Sequence, residues 1–321
     1  MSEPTVITIG NFDGVHRGHQ ALLRRARHLA HARGCRVVAL TFDPHPIRTL
    51  RPGHEPAKLS RLHERIAYLR AAGADRVEAF KPSRDILDLP PEPFLKIILD
   101  TYSPIAVVEG EDFHFGRNRE GDMHVLAQLG RRMGFTAVVE PKVAVSLSDR
   151  TIAPVSSTLV RWLVSQGRVV DASLALGRPF ELHGEIVLGD RVGRTLGVPT
   201  ANLSNLDIEG HVIPSHGVYA GFADIEGGIS QPAAISVGVK PTFDDRKLTI
   251  EAHLLDFDAN VYGRRMTLRF VRWVRDQMLF RSTDALKFQM ARDIRQVAQW
   301  RRHGLLETPE PSYHEQATPQ Q

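Results

Sequence analysis

A single cysteine, Cys35, among 321 residues excludes an internal disulfide and any site built on several thiolates, and it suits a reducing compartment. No run approaches the roughly 20 apolar residues that a spanning helix needs, and the opening MSEPTVITIG has no cationic segment followed by an apolar core. A cytoplasmic protein without membrane contact is the expectation. Charge of one sign is barely in excess: 41 Lys and Arg against 37 Asp and Glu leave +4. With no basic stripe interleaved with aromatics, that balance fits anionic small molecules, and no nucleic-acid partner is expected. The Walker A pattern GxxxxGK[ST] is absent too, which excludes a phosphate loop of that type. Oligomeric state is not legible.

What is present begins with GNFDGVHRGH, residues 10–19. The apolar run Val6, Ile7, Ile9 reads as a strand, the turn Gly10, Asn11, Phe12, Asp13 and Gly14 follows, and a helix opens with His16 and His19. Helical spacing of three puts both imidazoles on one face of the first turn. The unpaired N–H groups and partial positive charge of a helix N-terminus attract a phosphate, and Gly18 lets it come close to the backbone. Taken alone, an HxGH is also compatible with two packed histidines at a plain helix start.

Length and a 42% hydrophobic content allow two domains, each with its own core. In the first, Val37 to Phe42 is a continuous apolar run of buried-strand type, and strand-like and helix-like segments then alternate to Val139. Such alternation predicts a doubly wound parallel sheet with its ligand beyond the carboxyl ends of the strands. Two further loops follow strands and reach that edge: TFDPHP with His45, and EGEDFHFGRNREGD with Asp112. Phe113 and Phe115 in the latter read as a platform on which a flat heterocycle stacks. VSSTLVR opens a helix expected from Ser157 to Leu176, with Ser157 and Arg161 sharing a face as phosphate donors; taken alone this is a good N-cap.

GxFDGxHxGH resembles the signature of HIGH-type nucleotidylyltransferases. With TFDPHP, EGEDFHFGRNREGD and VSSTLVR in this order, the N-terminal half resembles the FMN adenylyltransferase module of bacterial bifunctional riboflavin kinase/FAD synthetases. The resemblance implies attack by the FMN phosphate on the α-phosphorus of ATP. It places His16 and His19 on the ATP phosphates, Ser157, Thr158 and Arg161 in a second clamp, and Asp112 on flavin or nucleotide. Pro154 stands where the family commonly has a basic residue.

Beyond a hinge expected at Gly177 to Pro179 the texture changes to short alternating strands at 180–187, 217–223, 231–238, 248–257 and 266–274, closed by a helix over 283–300. This predicts a small antiparallel barrel with a closing helix. The boundaries are thus 1–178, 179–306 and a tail, 307–321, whose Pro, Gln and Glu predict disorder. Between the first two strands Gly189, Gly193 and Gly197 leave backbone N–H groups to curve round phosphates, or simply make a glycine-rich hairpin. Thr200 and Asn202, two apart in extended chain, offer oxygens to one Mg2+. Glu251 alternates to the face opposite Ile250 and Ala252, either solvated and idle or a proton acceptor.

This half resembles the riboflavin kinase module of the same family, in HGEIVLGDRVGRTLGVPTANL, HGVYAG, GVKPTF and TIEAHLLDFDANVYG. That implies transfer of the ATP γ-phosphoryl to riboflavin, with Thr200 and Asn202 as metal ligands and Glu251 as general base. Ser236 and Gln277 depart from an Asn and a Glu usual in the family. The overall expectation is an enzyme making FMN and then FAD from riboflavin, with ATP and Mg2+. Two alternatives stay open at this level: a chain with one of the activities, and a non-catalytic flavin or nucleotide sensor.

Overall fold

The computed structural model describes residues 3–189, 197–241 and 246–307; Gly193 and the tail beyond residue 307 lie outside them. The chain forms two compact units, Met1–Ala144 with Pro154–Ser157, and Val145–Ala153 with Thr158–Gln321.

In the first unit the alternating pattern becomes β1 (Thr5–Gly10), α1 (Arg17–Arg33), β2 (Arg36–Phe42), α2 (Pro46–Leu50), α3 (Leu62–Ala71), β3 (Arg76–Phe80), α4 (Arg84–Leu87), α5 (Pro91–Tyr102), β4 (Pro104–Gly110), α6 (Met123–Met133) and β5 (Thr136–Glu140). The strands lie in the order β3-β2-β1-β4-β5, all parallel. Both faces are covered, which is why β2 reads as an unbroken apolar run: Val37 and Ala39 join Leu23, Ala26, Ala30 and Leu69 of α1 and α3. Val38 and Leu40 join Leu95, Ile98 and Leu126 of α5 and α6 on the other side.

The order of winding reverses at β1, between β2 and β4. Pairing of β1 with β4 ends at Ile7 and Val107, although both strands run on to Gly10 and Gly110. Past that point Glu109, 2% exposed, accepts the Ile9 N–H through Oε1 at 2.5 Å. A side chain thus stands where the ladder would continue, and the two strand ends part at the switch point, where α/β sheets bind ligands.

β6 (Ala144–Ser146) and β7 (Ile152–Pro154) form a two-stranded ribbon that sequence did not anticipate. The helix expected over Ser157 to Leu176 is two helices, α7 (Ser157–Ser165) and α8 (Val169–Leu176), broken at Gly167 with φ 72°. Gly177, expected as a hinge, is the left-handed C-cap of α8. The compact units part at Ser157 and Thr158, because α8 packs on the barrel strands.

The barrel consists of β8 (Phe180–Val187), β9 (Ala201–Leu203), β10 (Gly217–Ile225), β11 (Ile229–Pro241), β12 (Arg246–Leu254) and β13 (Arg265–Asp276), closed in the order β10-β11-β12-β9-β8-β13. A short α9 (Asn205–Ile208) follows β9, and α10 (Thr283–Arg302) ends the unit. Tyr219, Ile235, Val237, Ile250, Ala252 and Phe270 are fully buried in the barrel. On the other side of the wall, Val297 of α10 packs with Ala220, Leu255 and Val271. Asp293 of α10 takes two N–H groups of Arg275 at 2.8–3.1 Å, pinning the helix to β13.

Gly221 sits at a register shift between β10 and β13, where a Cβ would collide with the Arg269 carbonyl. Gly221→Ala is expected to destabilise this unit by about 1–3 kcal/mol through overpacking against backbone. Trp162, Trp273 and Trp300 all lie in this unit, so urea unfolding followed by tryptophan fluorescence reads the loss. In the first unit, burial pushes the Glu109 carboxyl well above the usual carboxylate range, against the opposing hydrogen bond from Ile9. Above the ordinary Glu value the folded chain therefore binds the extra proton, and stability falls as pH rises toward the folded pKa. Glu109→Gln keeps an acceptor for Ile9 and removes that slope. Its Tm relative to the parent, measured by calorimetry, should increase as the pH is raised above the ordinary Glu value.

Candidate functional site

The turn after β1 is shaped by left-handed residues at Phe12, Gly14 and Val15, with φ of 49°, 78° and 40°. Two buried groups fix it from below. The Asp13 carboxylate accepts N–H bonds from Leu59 and Ser60 at 3.0–3.1 Å, and a bond from the Ser60 hydroxyl. Phe12, 1% exposed, lies in the core and sets its ring edge on His19 at 5.1 Å. Both were expected to touch the ligand; their side chains turn inward and hold the turn instead.

His16 occupies the N-cap position of α1 without capping it, and His19 follows one turn later. Their rings stack at 3.6 Å and 19°. Gly18 is required beside them, since a Cβ there would stand 3.1 Å from the His16 ring, and one on Gly10 would meet the Phe12 ring at 3.2 Å. Burial above all, then the His16 and Arg65 charges, holds His19 well below the usual imidazole range. His19 is therefore neutral at physiological pH and offers one N–H and one lone pair rather than a cation.

The loop after β2 reaches the same edge. His45 caps α2 by accepting the Ile47 N–H at Nδ1, 3.2 Å, so its neutral ring carries the proton on Nε2. The Asn11 amide lies 3.2 Å from that nitrogen, and the amide orientation that satisfies both turns Oδ1 toward the ring. Asn11 and His45, named separately in the sequence, thus stand together. Arg65 of α3, missed in the sequence because it reads as one more charge on an amphipathic helix, is 6% exposed beneath both loops. It donates to the carbonyls of Asn11 and Phe42 at 3.0 and 2.8 Å, and to the Thr41 hydroxyl at 3.1 Å.

Asp112, beyond β4, is exposed and pairs with Lys142 at 3.4 Å. The expected aromatic platform is not one. Phe115, 5% exposed, packs on Phe94 in the core, and Phe113 stacks on Phe115 at 5.4 Å, so both rings anchor the loop. Ser157 donates its hydroxyl to the Asp13 carbonyl at 2.8 Å, tying the start of α7 to the turn after β1. Thr158, exposed, and half-buried Arg161 follow on α7, within the other compact unit.

The barrel unit carries a second cluster. In register, Asn202 of β9 faces Glu251 of β12, which faces Ser236 of β11, a row on the side opposite buried Ile250 and Ala252. The Thr200 hydroxyl donates to Glu251 Oε2 at 3.1 Å. His253 donates from Nδ1 to the Pro199 carbonyl at 2.8 Å and holds the Pro199–Thr200 segment on β12. Gly189 is forced by the Asn202 amide, which a Cβ would overlap, whereas Gly197 adopts φ 80° in open space. Gln277 packs against Gly238, next but one to Ser236 on β11. Hydroxyl, amide and carboxylate oxygens so arranged suit a hard cation such as Mg2+, completed by phosphate oxygens. Among the described residues no group of three His, Cys, Asp or Glu forms a metal cage by itself.

Comparison with known proteins separates the same two halves. The family model of FAD synthetase matches residues 1–158, and that of riboflavin kinase matches residues 176–301. The chain is 35% identical to the bifunctional riboflavin kinase/FMN adenylyltransferase of Escherichia coli K12, over 91% of each sequence. To the protein of that name from Pseudomonas fluorescens it is 38% identical over 90% of each. A crystal structure titled as a macrolide-efflux protein from Streptococcus pneumoniae superposes with a TM-score of 0.84 at 28% identity, covering 94% of this chain and 95% of that one. With both modules matched in order along nearly the whole length, the chain belongs to the bifunctional riboflavin kinase/FMN adenylyltransferase family.

Proposed function

We propose that this chain phosphorylates riboflavin to FMN in its barrel unit and adenylylates FMN to FAD in its parallel-sheet unit, with ATP as donor in both steps. The observation that carries the reading is the presence, in one chain, of the stacked imidazoles at the head of α1 and of Glu251 bonded to Thr200 beside Asn202. A chain limited to one activity, or a sensor, would not need both. We assign the steps to residues 179–306 and 1–178, and place the enzyme in the cytoplasm, where a lone cysteine stays reduced. No helix among the described residues is long and apolar enough to cross a membrane.

In the kinase step Glu251 accepts the proton of the riboflavin 5′-hydroxyl as its oxygen attacks the γ-phosphorus, and ADP leaves. Thr200 and Asn202 would hold Mg2+ on the phosphates; the ion supplies charge neutralisation there. We assign the glycines of this stretch, Gly189, Gly193 and Gly197, to the phosphates on the strength of the sequence pattern. In the adenylylation step an FMN phosphate oxygen attacks the α-phosphorus of ATP, the bond to the β-phosphate breaks, and pyrophosphate departs. The chain's part is in-line positioning and charge neutralisation. His16 and His19 donate N–H groups to the triphosphate at the positive end of α1. Ser157, Thr158 and Arg161 form a second clamp, and Asn11, His45 and Asp112 contact nucleotide or flavin.

Glu251→Gln is expected to reduce FMN formation by about 10²–10⁴-fold, the usual worth of a general base, and to leave FMN to FAD conversion intact. His19→Ala should do the reverse. Both are read by chromatographic resolution of the flavins; loss of both activities in a folded single variant would overturn this division of roles.

A further inference from the structure

We propose that Arg65 is a positioning residue for adenylyl transfer, setting the spacing between the imidazole-bearing turn after β1 and the His45 turn after β2. The inference rests on the adenylylation reading above and adds a residue to it that no ligand needs to touch.

Arg65 lies on α3, yet its guanidinium is 6% exposed and directed at two loops that belong to different strands. Nη1 donates to the Asn11 carbonyl at 3.0 Å and to the Phe42 carbonyl at 2.8 Å, bridging the ends of β1 and β2 with one planar group. Thr41 completes the knot: it accepts from Nη1 at 3.1 Å and donates to the same Asn11 carbonyl at 3.1 Å. Nη2 lies 3.5 Å from Asp43, the residue before Pro44 and His45. Asn11 is five residues from His16, and its own side chain contacts His45. One guanidinium therefore fixes the carbonyls at the base of both ligand-facing turns. Three acceptors converge on Nη1, Nη2 reaches only Asp43, and Nε makes no hydrogen bond, so it is the placing of Nη1 at the end of a planar group that counts; lysine offers the same charge at a shorter, flexible point.

A buried cation is costly unless its hydrogen bonds are made. Here two of the four acceptors are backbone carbonyls of the site's own loops and the other two, Thr41 and Asp43, flank Phe42, so the cost is offset most fully when the loops are in register. Each loop spans just a few residues from strand end to ligand-facing side chain, which makes an error at Asn11 or Phe42 an error at the imidazoles. Displacement of reacting groups by about 1 Å costs on the order of 10²-fold in rate. The expected signature is a loss in kcat with substrate binding largely retained.

The test uses the full-length protein and three variants, Arg65→Lys, Arg65→Met and Thr41→Val. FAD formation from FMN and ATP is measured at steady state, and FMN formation from riboflavin reports on the barrel unit of the same molecules. Arg65→Met should lower kcat for FAD by about 30-fold or more, with KM for ATP within about 3-fold of the parent, and leave FMN formation unchanged. Arg65→Lys should fail to restore more than about a tenth of the parental kcat, because a shorter, flexible ammonium does not set its N–H groups where Nη1 stands between the two carbonyls. Thr41→Val, which keeps the guanidinium, should cost about 3-fold. Circular dichroism and Tm establish that each variant is folded; if Arg65→Met does not fold, the lysine and valine variants carry the test. A lysine variant at half the parental kcat or better, or an unchanged kcat with a raised KM, would overturn the proposal. A parent that makes no FAD would instead defeat the underlying reading.

Discussion

The parting of β1 from β4 is the constraint on which the first unit depends. Pairing of the two parallel strands stops before their ends, at the point where the order of winding reverses. Here Glu109 takes the Ile9 N–H after pairing stops at Ile7, so the backbone donor is satisfied without the ladder. The turn that begins at Gly10 thus rises from an open crevice with the head of α1 above it. Asp13 and Arg65, both buried, then fix the turn from beneath. Each of these charged groups is directed at backbone, and each has an acceptor or donor that belongs to the site's own loops. The turns after β1 and β2 are accordingly short and held at several points from beneath.

The barrel solves a related problem by other means. Ile235, Ile250, Ala252 and Tyr219 are fully buried in its interior. The alternation of β12 places Glu251 on the opposite face, and the short strand β9 brings Asn202 beside it across a single pair of rungs. Asn202, Glu251 and Ser236 therefore stand in one row on the wall, with the register of three strands setting their spacing. The same packing that buries Ile250 and Ala252 presents Glu251, so a slip of one residue would exchange them.

Much of this was legible in the chain alone. The phosphate turn could be read because its chemistry restricts both residue type and spacing: glycine at close approaches, two histidines one helical turn apart. The barrel was legible from period-2 alternation, and its strands at 217–223 and 266–274 are extended by only a few residues in the structure. What escaped depended on partners distant in sequence. Arg65 looks like any charge on an amphipathic helix until β1 and β2 are placed above it. Glu109 was visible as the lone acid at the end of an apolar strand, but its acceptor role needs Ile9, a hundred residues away. Phe113 and Phe115 misled because aromatic density in a loop signals a binding surface and an anchor equally well. Gly167 broke a helix whose pattern continued through it, and only its left-handed φ shows the stop. The row of Asn202, Glu251 and Ser236 joined residues that the sequence named separately, and it required the pairing of β9, a strand of three residues hidden in a glycine-rich stretch.

A FAD synthetase match and a riboflavin kinase match in one chain imply two consecutive transfers by one protein, the second consuming the product of the first. The direct measurement is a time course of the purified chain with riboflavin, ATP and Mg2+, with flavins and phosphate products resolved together. FMN should rise first with one ADP released per FMN, and FAD should follow with one pyrophosphate per FAD. Riboflavin bound but unchanged, or FMN accumulating without FAD, would contradict the account.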